Sequence, residues 1–148
     1  NNIVGLWQAG RSELCLEILE SSYINPQNDT HNILKRVQAE GIHISIDDFG
    51  TGYSSLSYFR DIPADELKID RSFVLGLLRD DTNRKIVSLI IDMAHLFGLT
   101  VIAEGVENQR LAEQLKALGC DQFQGFHYSR PIPAADFEEW LIDYQPML

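Results

Sequence analysis

The stretch AEGIHISIDDF, residues 39–49, decides how this chain folds. A helical pattern closes at Gly41, and the chain turns at once into the alternating run His43 to Phe49, the signature of a short loop leading from a helix into a strand. The same phrasing occurs at QAG (residues 8–10) before RSELCLEIL, at LFG (96–98) before LTVIAEGV, and at ALG (117–119) before CDQFQGF. A further strand, Glu66 to Asp70, lies in DELKID. Between these runs the spacing predicts helices. Ile86, Leu89, Ile90, Met93, Ala94 and Phe97 recur at three- and four-residue steps, as do Leu111, Leu115 and Leu118, each set describing one buried stripe. A shorter helix is predicted over Asn28 to Val37, and a last one over Pro133 to Tyr144, with the proline near its first turn.

Five strands, each followed by a helix or helical turn and with no hairpin signal between them, imply a parallel α/β sheet. An open doubly wound sheet and a closed eight-stranded barrel compete at this point. The polar residues near the strand ends decide between them: Glu17, Asp47 with Asp48, Lys68, Glu104 and Gln124, a set for each strand. In a TIM-like (β/α)8 barrel those ends meet at one mouth, where barrel active sites sit, whereas an open sheet would spread them along an edge. Side-chain parity agrees. Glu17 lies opposite Leu16 and Ile18, Asp47 opposite Ile44 and Ile46, and Lys68 opposite Leu67 and Ile69, while Glu104 shares its side with Ile102. Such a barrel takes roughly 250 residues, so about five βα units are expected here and about three are missing. Five parallel strands cannot close, which is expected to leave an open edge and to expose the sheet's apolar inner face.

Composition narrows the functions available. The 148 residues carry a formal charge of −10, which repels a phosphate backbone, so polymeric nucleic acid is not an expected partner. No apolar run approaches the roughly 20 residues of a bilayer span, and NNIVGLWQAG does not read as a secretion signal. Cys15 and Cys120 make no disulfide framework; both are expected to be buried and reduced, in keeping with a cytoplasmic setting.

Adjacent aspartates at a strand exit raise one another's pKa unless a cation compensates. Alternation lapses where a strand gives way to a loop, so Asp47 and Asp48 can both face the mouth, and one carboxylate can bridge two ions about 3.5–4 Å apart. With Glu17 and Glu104 the ligands are all oxygens, which suits Mg²⁺ or Mn²⁺ rather than zinc. Lys68 is placed to orient a nucleophilic water or to neutralise a pentacoordinate phosphorane, and Glu104 to ligate metal or accept that water's proton. The pattern reads as metal-assisted phosphodiester hydrolysis. Each residue also has a plainer role. A lone Glu17 or Lys68 at a strand end is usually a solvated rim residue, and Glu107 with Asn108 would begin a helix. DDFGTGYSSL would form a turn through Gly50 and Gly52, then a helix capped by Ser54 or Ser55. Trp7, Trp140, Phe59, Phe73 and Phe97 read as packing aromatics, His31 and His95 as surface or packing residues, and Asp61 to Glu66 as a solvated loop.

LEILES, IDDFGTGYSSLSYF, LKIDRSFV, IAEGVEN and DQFQGFHYSRP, in this order, closely resemble the second part of the EAL domain, a bacterial phosphodiesterase that opens cyclic di-GMP to linear pGpG. The resemblance covers about Glu13 to Leu141. It implies that Glu17, Asp47 and Asp48 are metal ligands, with Asp47 shared between two Mg²⁺ or Mn²⁺ ions. It likewise implies that Lys68 holds the attacking water, that Glu104 is a general base or second-metal contact, and that Gln124 is a polar contact in the site. Glu20 resembles the glutamate that braces the loop after the aspartate pair. That loop, Gly50 to Leu56 with Thr51 and Gly52, resembles the element linking metal binding to a homodimer.

Departures qualify the match. The Glu-Ala-Leu motif, with its metal-binding glutamate and nearby arginine, and the asparagine ligand of the next strand appear nowhere in the 148 residues. Residues 1–148 are therefore expected to be the C-terminal part of one such domain, cut from something longer and inactive alone. An upstream sensory or cyclase domain and a membrane tether are compatible with the family. Leu19 and Asn108 stand where the family commonly has threonine. Two rival readings are a non-catalytic cyclic di-GMP receptor or interaction module, which usually loses the aspartate pair or the lysine, and another Mg²⁺ barrel enzyme of the enolase type, which spreads single carboxylates over successive strands.

Overall fold

A computed structural model describes residues 14–20, 29–50, 60 and 62–144. Five parallel strands run β1 (Cys15–Leu19), β2 (His43–Phe49), β3 (Glu66–Ile69), β4 (Thr100–Ala103) and β5 (Gln122–Phe123), adjacent in the order in which they occur in sequence. Sequential parallel order puts every crossover on the same side, as in one arc of a barrel wall.

The helices described are α1 (Thr30–Ala39), α2 (Arg71–Gly76), α3 (Asp81–Leu96), α4 (Gln109–Ala117) and α5 (Ala134–Asp143). Side-chain caps explain three of the starts. Asp70 accepts from Ser72 N at α2, Asp80 from Asn83 N at α3, and Asn108 from Leu111 N at α4. Helix α1 begins and ends two residues later than the periodicity predicts, and α5 starts just after Pro133. Helix α2 is an addition: six residues are too few for a periodic stripe, although the Asp-x-Ser cap at residues 70–72 announces it.

The core lies between one face of the sheet and the helices. Ile46, Leu67, Ile69, Val101 and Ala103 from the strands pack against Val87, Ile90, Ile91 and Ala94 of α3 and Leu111 and Leu115 of α4. Alternation sends Glu17, Ser45, Asp47, Lys68 and Thr100 to the other face. That inner face is mostly polar, contrary to the apolar face expected at the open edge; Leu19 and Ile102 are its aliphatic members among the strand residues.

Two further expectations change. Cys120 is buried, but Cys15 is exposed, because β1 pairs with β2 alone among the described strands. Asp65, expected in a solvated loop, clamps the entry to β2 and β3. Its Oδ2 accepts from Ile44 N at 2.8 Å and its Oδ1 from Gln38 Nε2 at 3.1 Å. At the same end of the sheet Asp121 accepts from Val101 N at 2.7 Å and pairs with His95 Nε2 at 2.8 Å.

Candidate functional site

Strand β2 builds the centre of the site. Ile44 and Ile46 are 0% and 1% exposed, which anchors that strand's aliphatic face and turns Asp47 toward the inner side. Between Ile46 and Phe49 the register to β3 slips, and Asp48 stands at φ 56, a left-handed conformation that aspartate tolerates better than most residues. The bulge ends the alternation that would have sent Asp48 to the helix side. An oxygen from each of Asp47, Asp48 and Glu104 then falls within 4.8 Å of the other two.

The exit of β2 is held by neighbours distant in sequence. Asp48 N donates to Asp47 Oδ1 at 3.0 Å, which orients the first carboxylate. Gly50 N donates to Glu20 Oε2 at 2.9 Å, and Glu20 is only 6% exposed. Gly50 has φ 99, and a Cβ there would come within 2.7 Å of Cε2 of Phe73, so the α2 ring closes over a position that only glycine fills without strain. Thr51, Gly52 and the predicted helix beginning at Ser54 or Ser55 lie outside the described residues.

Lys68 projects from β3 into the middle of these acids. Its Nζ lies 2.5 Å from Glu104 Oε1, 2.9 Å from Glu17 Oε1 and 3.4 Å from Asp47 Oδ1. Burial opposes the ammonium, but hydrogen bonds to Glu104 and Glu17 and the charges of Glu104 and Asp47 outweigh it and hold the group above the ordinary lysine range. Lys68 is therefore a fixed cation at neutral pH: it donates and neutralises, and it has no lone pair with which to take a proton. The carboxylate cluster thus consists of Asp47, Asp48 and Glu104, Glu17 joins it through the Lys68 ammonium, and Glu20 meets Gly50 N just past the aspartates.

Gln124 stands apart from this cluster. Its backbone ties the mouth together, with N donating to Ala103 O at 2.8 Å and O accepting from Val106 N at 3.0 Å. Its residue lines a cavity of about 170 Å³ shared with Arg71, Glu104, Gly105, Glu107 and Phe126. Three of these were missed or underread. Arg71 follows the Asp70 cap directly, so its place at the mouth was recoverable from the cap signal, and Glu107 is an ion-pair partner of Arg71 rather than only a helix-start charge. Phe126 carries no sequence signal beyond following a glycine.

The donor set fits a divalent cation. Three carboxylates converge, the ligand atoms are all oxygen, and a lysine ammonium already lies against three acids that would otherwise repel each other.

The family model of the EAL domain matches residues 6–131. The bifunctional diguanylate cyclase/cyclic di-GMP phosphodiesterase MucR of Pseudomonas aeruginosa is 46% identical over 123 residues, which is 83% of this chain and 18% of MucR. The cyclic di-GMP complex of the MucR phosphodiesterase superposes with TM-score 0.79 at 45% identity, covering 84% of this chain and 50% of the solved one. The EAL domain of Mycobacterium smegmatis DcpA gives TM-score 0.85 at 40% identity over 95% of this chain and 64% of its own. The manganese and cyclic di-GMP complex of Klebsiella pneumoniae BlrP1 gives 0.78 at 31% identity, over 87% and 34%. The chain spans less than a fifth of MucR's length. Among the described residues no helix is long and apolar enough to cross a membrane.

Proposed function

Because the chain belongs to the EAL domain family, we propose that it is the C-terminal part of a barrel that hydrolyses cyclic di-GMP to linear pGpG. One observation carries this reading: a buried lysine ammonium contacts carboxylates on two other strands and just past the end of a third, beside a bulge that brings two adjacent aspartates to the same side. That arrangement has little structural purpose, since burying a cation among acids is at best neutral for stability compared with apolar packing.

Glu17, Asp47, Asp48 and Glu104 would hold two divalent ions, Mg²⁺ or Mn²⁺. Bound there, the ions would polarise a phosphoryl oxygen and ease deprotonation of the attacking water. The protein's own groups divide the remaining work according to their charge. Lys68, fixed as the ammonium, donates to the water and fixes its lone pair toward phosphorus; it also offsets the negative charge that grows on the phosphoryl oxygens. Glu104 is the acceptor for that water's proton, since its carboxylate lies at the ammonium that would hold the water. Glu20, through Gly50 N, keeps the aspartate pair in place. The water oxygen forms the new P–O bond as the ribose 3′-oxygen leaves, which gives a 5′-phosphate on the linear product. Gln124 lines the adjoining cavity and supplies a polar contact to the substrate.

The same reading includes a homodimer through the loop after Asp48, an upstream sensory domain or a cyclase such as MucR's name records, and a cytoplasmic location for this part. Retention of Asp47, Asp48 and Lys68 weighs against a pure receptor, and the adjacency of the two aspartates against an enolase-type enzyme.

Incubating cyclic di-GMP with Mn²⁺ and the full-length protein that carries this chain, then separating products chromatographically, tests the proposal. The expected product is pGpG, with negligible turnover by residues 1–148 alone, because the sequence has neither the Glu-Ala-Leu glutamate nor the asparagine ligand. Unchanged dinucleotide from the full-length protein, bound or unbound, would overturn the hydrolase. Turnover by the 148 residues equal to that of the longer protein would overturn the partial-domain reading.

A further inference from the structure

The segment that delivers Glu104 is unusual in how little of its own structure holds it. Residues 104–107 leave β4 without regular secondary structure, and Gly105 has φ 68. On one side the next loop closes against it, backbone to backbone. Val106 N donates to Gln124 O, His127 N donates to Val106 O, and a Cβ on Gly125 would strike the Val106 backbone. Arg71 holds the other side. Its stem lies on Gly105, where a Cβ would run into Cγ and approach Cδ to 2.8 Å, and its Nη2 donates to Glu107 Oε1 at 2.5 Å. The arginine thus straps residues 105–107 to the start of α2, the element whose Asp70 cap follows directly on the strand that carries Lys68.

Exposure argues that this strap is not there for stability. Arg71 and Glu107 side chains are 57% and 40% exposed, and a pair so open to water contributes at most about 1 kcal/mol to folding. Its geometric effect is larger. Glu104 Oε1 must stay at 2.5 Å from Lys68 Nζ and within reach of the Asp47 and Asp48 oxygens, and its own backbone is tied to β3 through Glu104 N donating to Ile69 O at 3.2 Å. We propose that Arg71 is a positioning residue for Glu104: the ion pair with Glu107 and the stem on Gly105 set where the Glu104 carboxylate meets Lys68 and the aspartate pair. This rests on the phosphodiesterase reading above for its kinetic consequence, but not for its effect on metal binding.

The test uses Arg71→Ala and Arg71→Lys in the full-length protein, with Mn²⁺ affinity read by electron paramagnetic resonance in the absence of nucleotide, and kcat and KM measured separately. Loss of a group that orients a metal ligand commonly lowers affinity or activity about 10–100-fold. Arg71→Ala should therefore weaken Mn²⁺ binding and lower kcat by at least about tenfold, with KM and the melting temperature little changed. Arg71→Lys, which keeps stem and charge, should recover most of both. Should Arg71→Ala unfold, Glu107→Gln, which keeps size and removes the partner's charge, carries the same expectation. Unchanged Mn²⁺ affinity in a folded Arg71→Ala protein would overturn the inference. So would a raised KM at wild-type kcat, which would make Arg71 a substrate contact. A wild-type protein that binds Mn²⁺ but leaves cyclic di-GMP intact would instead overturn the function and leave the metal readout to decide on Arg71.

Discussion

Replacing Lys68 by methionine keeps the length of the side chain and removes the cation that Glu17, Asp47 and Glu104 share. Removing one partner of a buried pair costs about 3–5 kcal/mol. The acids left behind here retain part of their hydration, since their side chains are 55%, 21% and 21% exposed. A loss of roughly 2–3 kcal/mol is accordingly expected. At about 2–4 °C per kcal/mol for a chain of this size, the variant should melt roughly 4–12 °C below wild type in EDTA. A divalent ion can neutralise the same acids. Binding to the folded state alone stabilises by about 2.7 kcal/mol at a hundredfold excess over Kd. Mn²⁺ should therefore raise the variant's melting temperature by more than it raises that of wild type, while turnover stays absent. Scanning calorimetry with and without Mn²⁺ measures both. A variant that melts within about 2 °C of wild type in EDTA would refute the claim that the ammonium holds the acids together. Equal Mn²⁺ shifts in the two proteins would refute the claim that metal and ammonium answer the same charges.

Glu20→Gln should leave the fold intact but weaken the hold on Gly50 N, lowering Mn²⁺ affinity about tenfold by calorimetric titration; an unchanged affinity would free Glu20 from any role at the metals. Asp121 gives a pH signature. Burial raises its pKa, but the hydrogen bonds from His95 and Val101 N outweigh that and hold the carboxyl below its usual range. A lowered folded pKa contributes stability that is present above the unfolded value of about 3.9 and is lost as pH falls through the folded one. The wild-type melting temperature should thus drop below about pH 4, and Asp121→Asn should flatten that part of the curve.

The parts of the site that follow from parity were legible without coordinates. Ile46, Leu67 and Ile69 have to face the helices and Ile44 is buried on the same side of its strand, and this alone sends Asp47 and Lys68 to the inner side. Even the joint orientation of Asp47 and Asp48 followed from the lapse of alternation at a strand end. Its cause did not, because a register slip with Asp48 at φ 56 leaves no mark in the letters. Short elements and long-range contacts were the harder ones. Six residues of α2 show no period, and the pairs Arg71 with Glu107 and Asp65 with Ile44 N depend on which loops the fold brings side by side. Cys15 was misread because a strand's burial depends on what flanks it, and an apolar sequence neighbourhood does not report that. The scarcity of aliphatic side chains on the inner face, where Leu19 and Ile102 stand among polar neighbours, follows from the same alternation, since a position that carries an acid or a lysine to the mouth cannot also carry an aliphatic side chain.

The left-handed backbone at Asp48 constrains the alternatives open to this position. Aspartate and asparagine are the polar residues most at ease there, whereas glutamate would have to accept the strain that its longer chain does nothing to relieve. Exchange of acid for amide would keep the turn and the outline of the mouth while taking away one of two neighbouring negative charges. A single base change separates the two codons, and the backbone of this one residue makes the loss of that charge structurally silent.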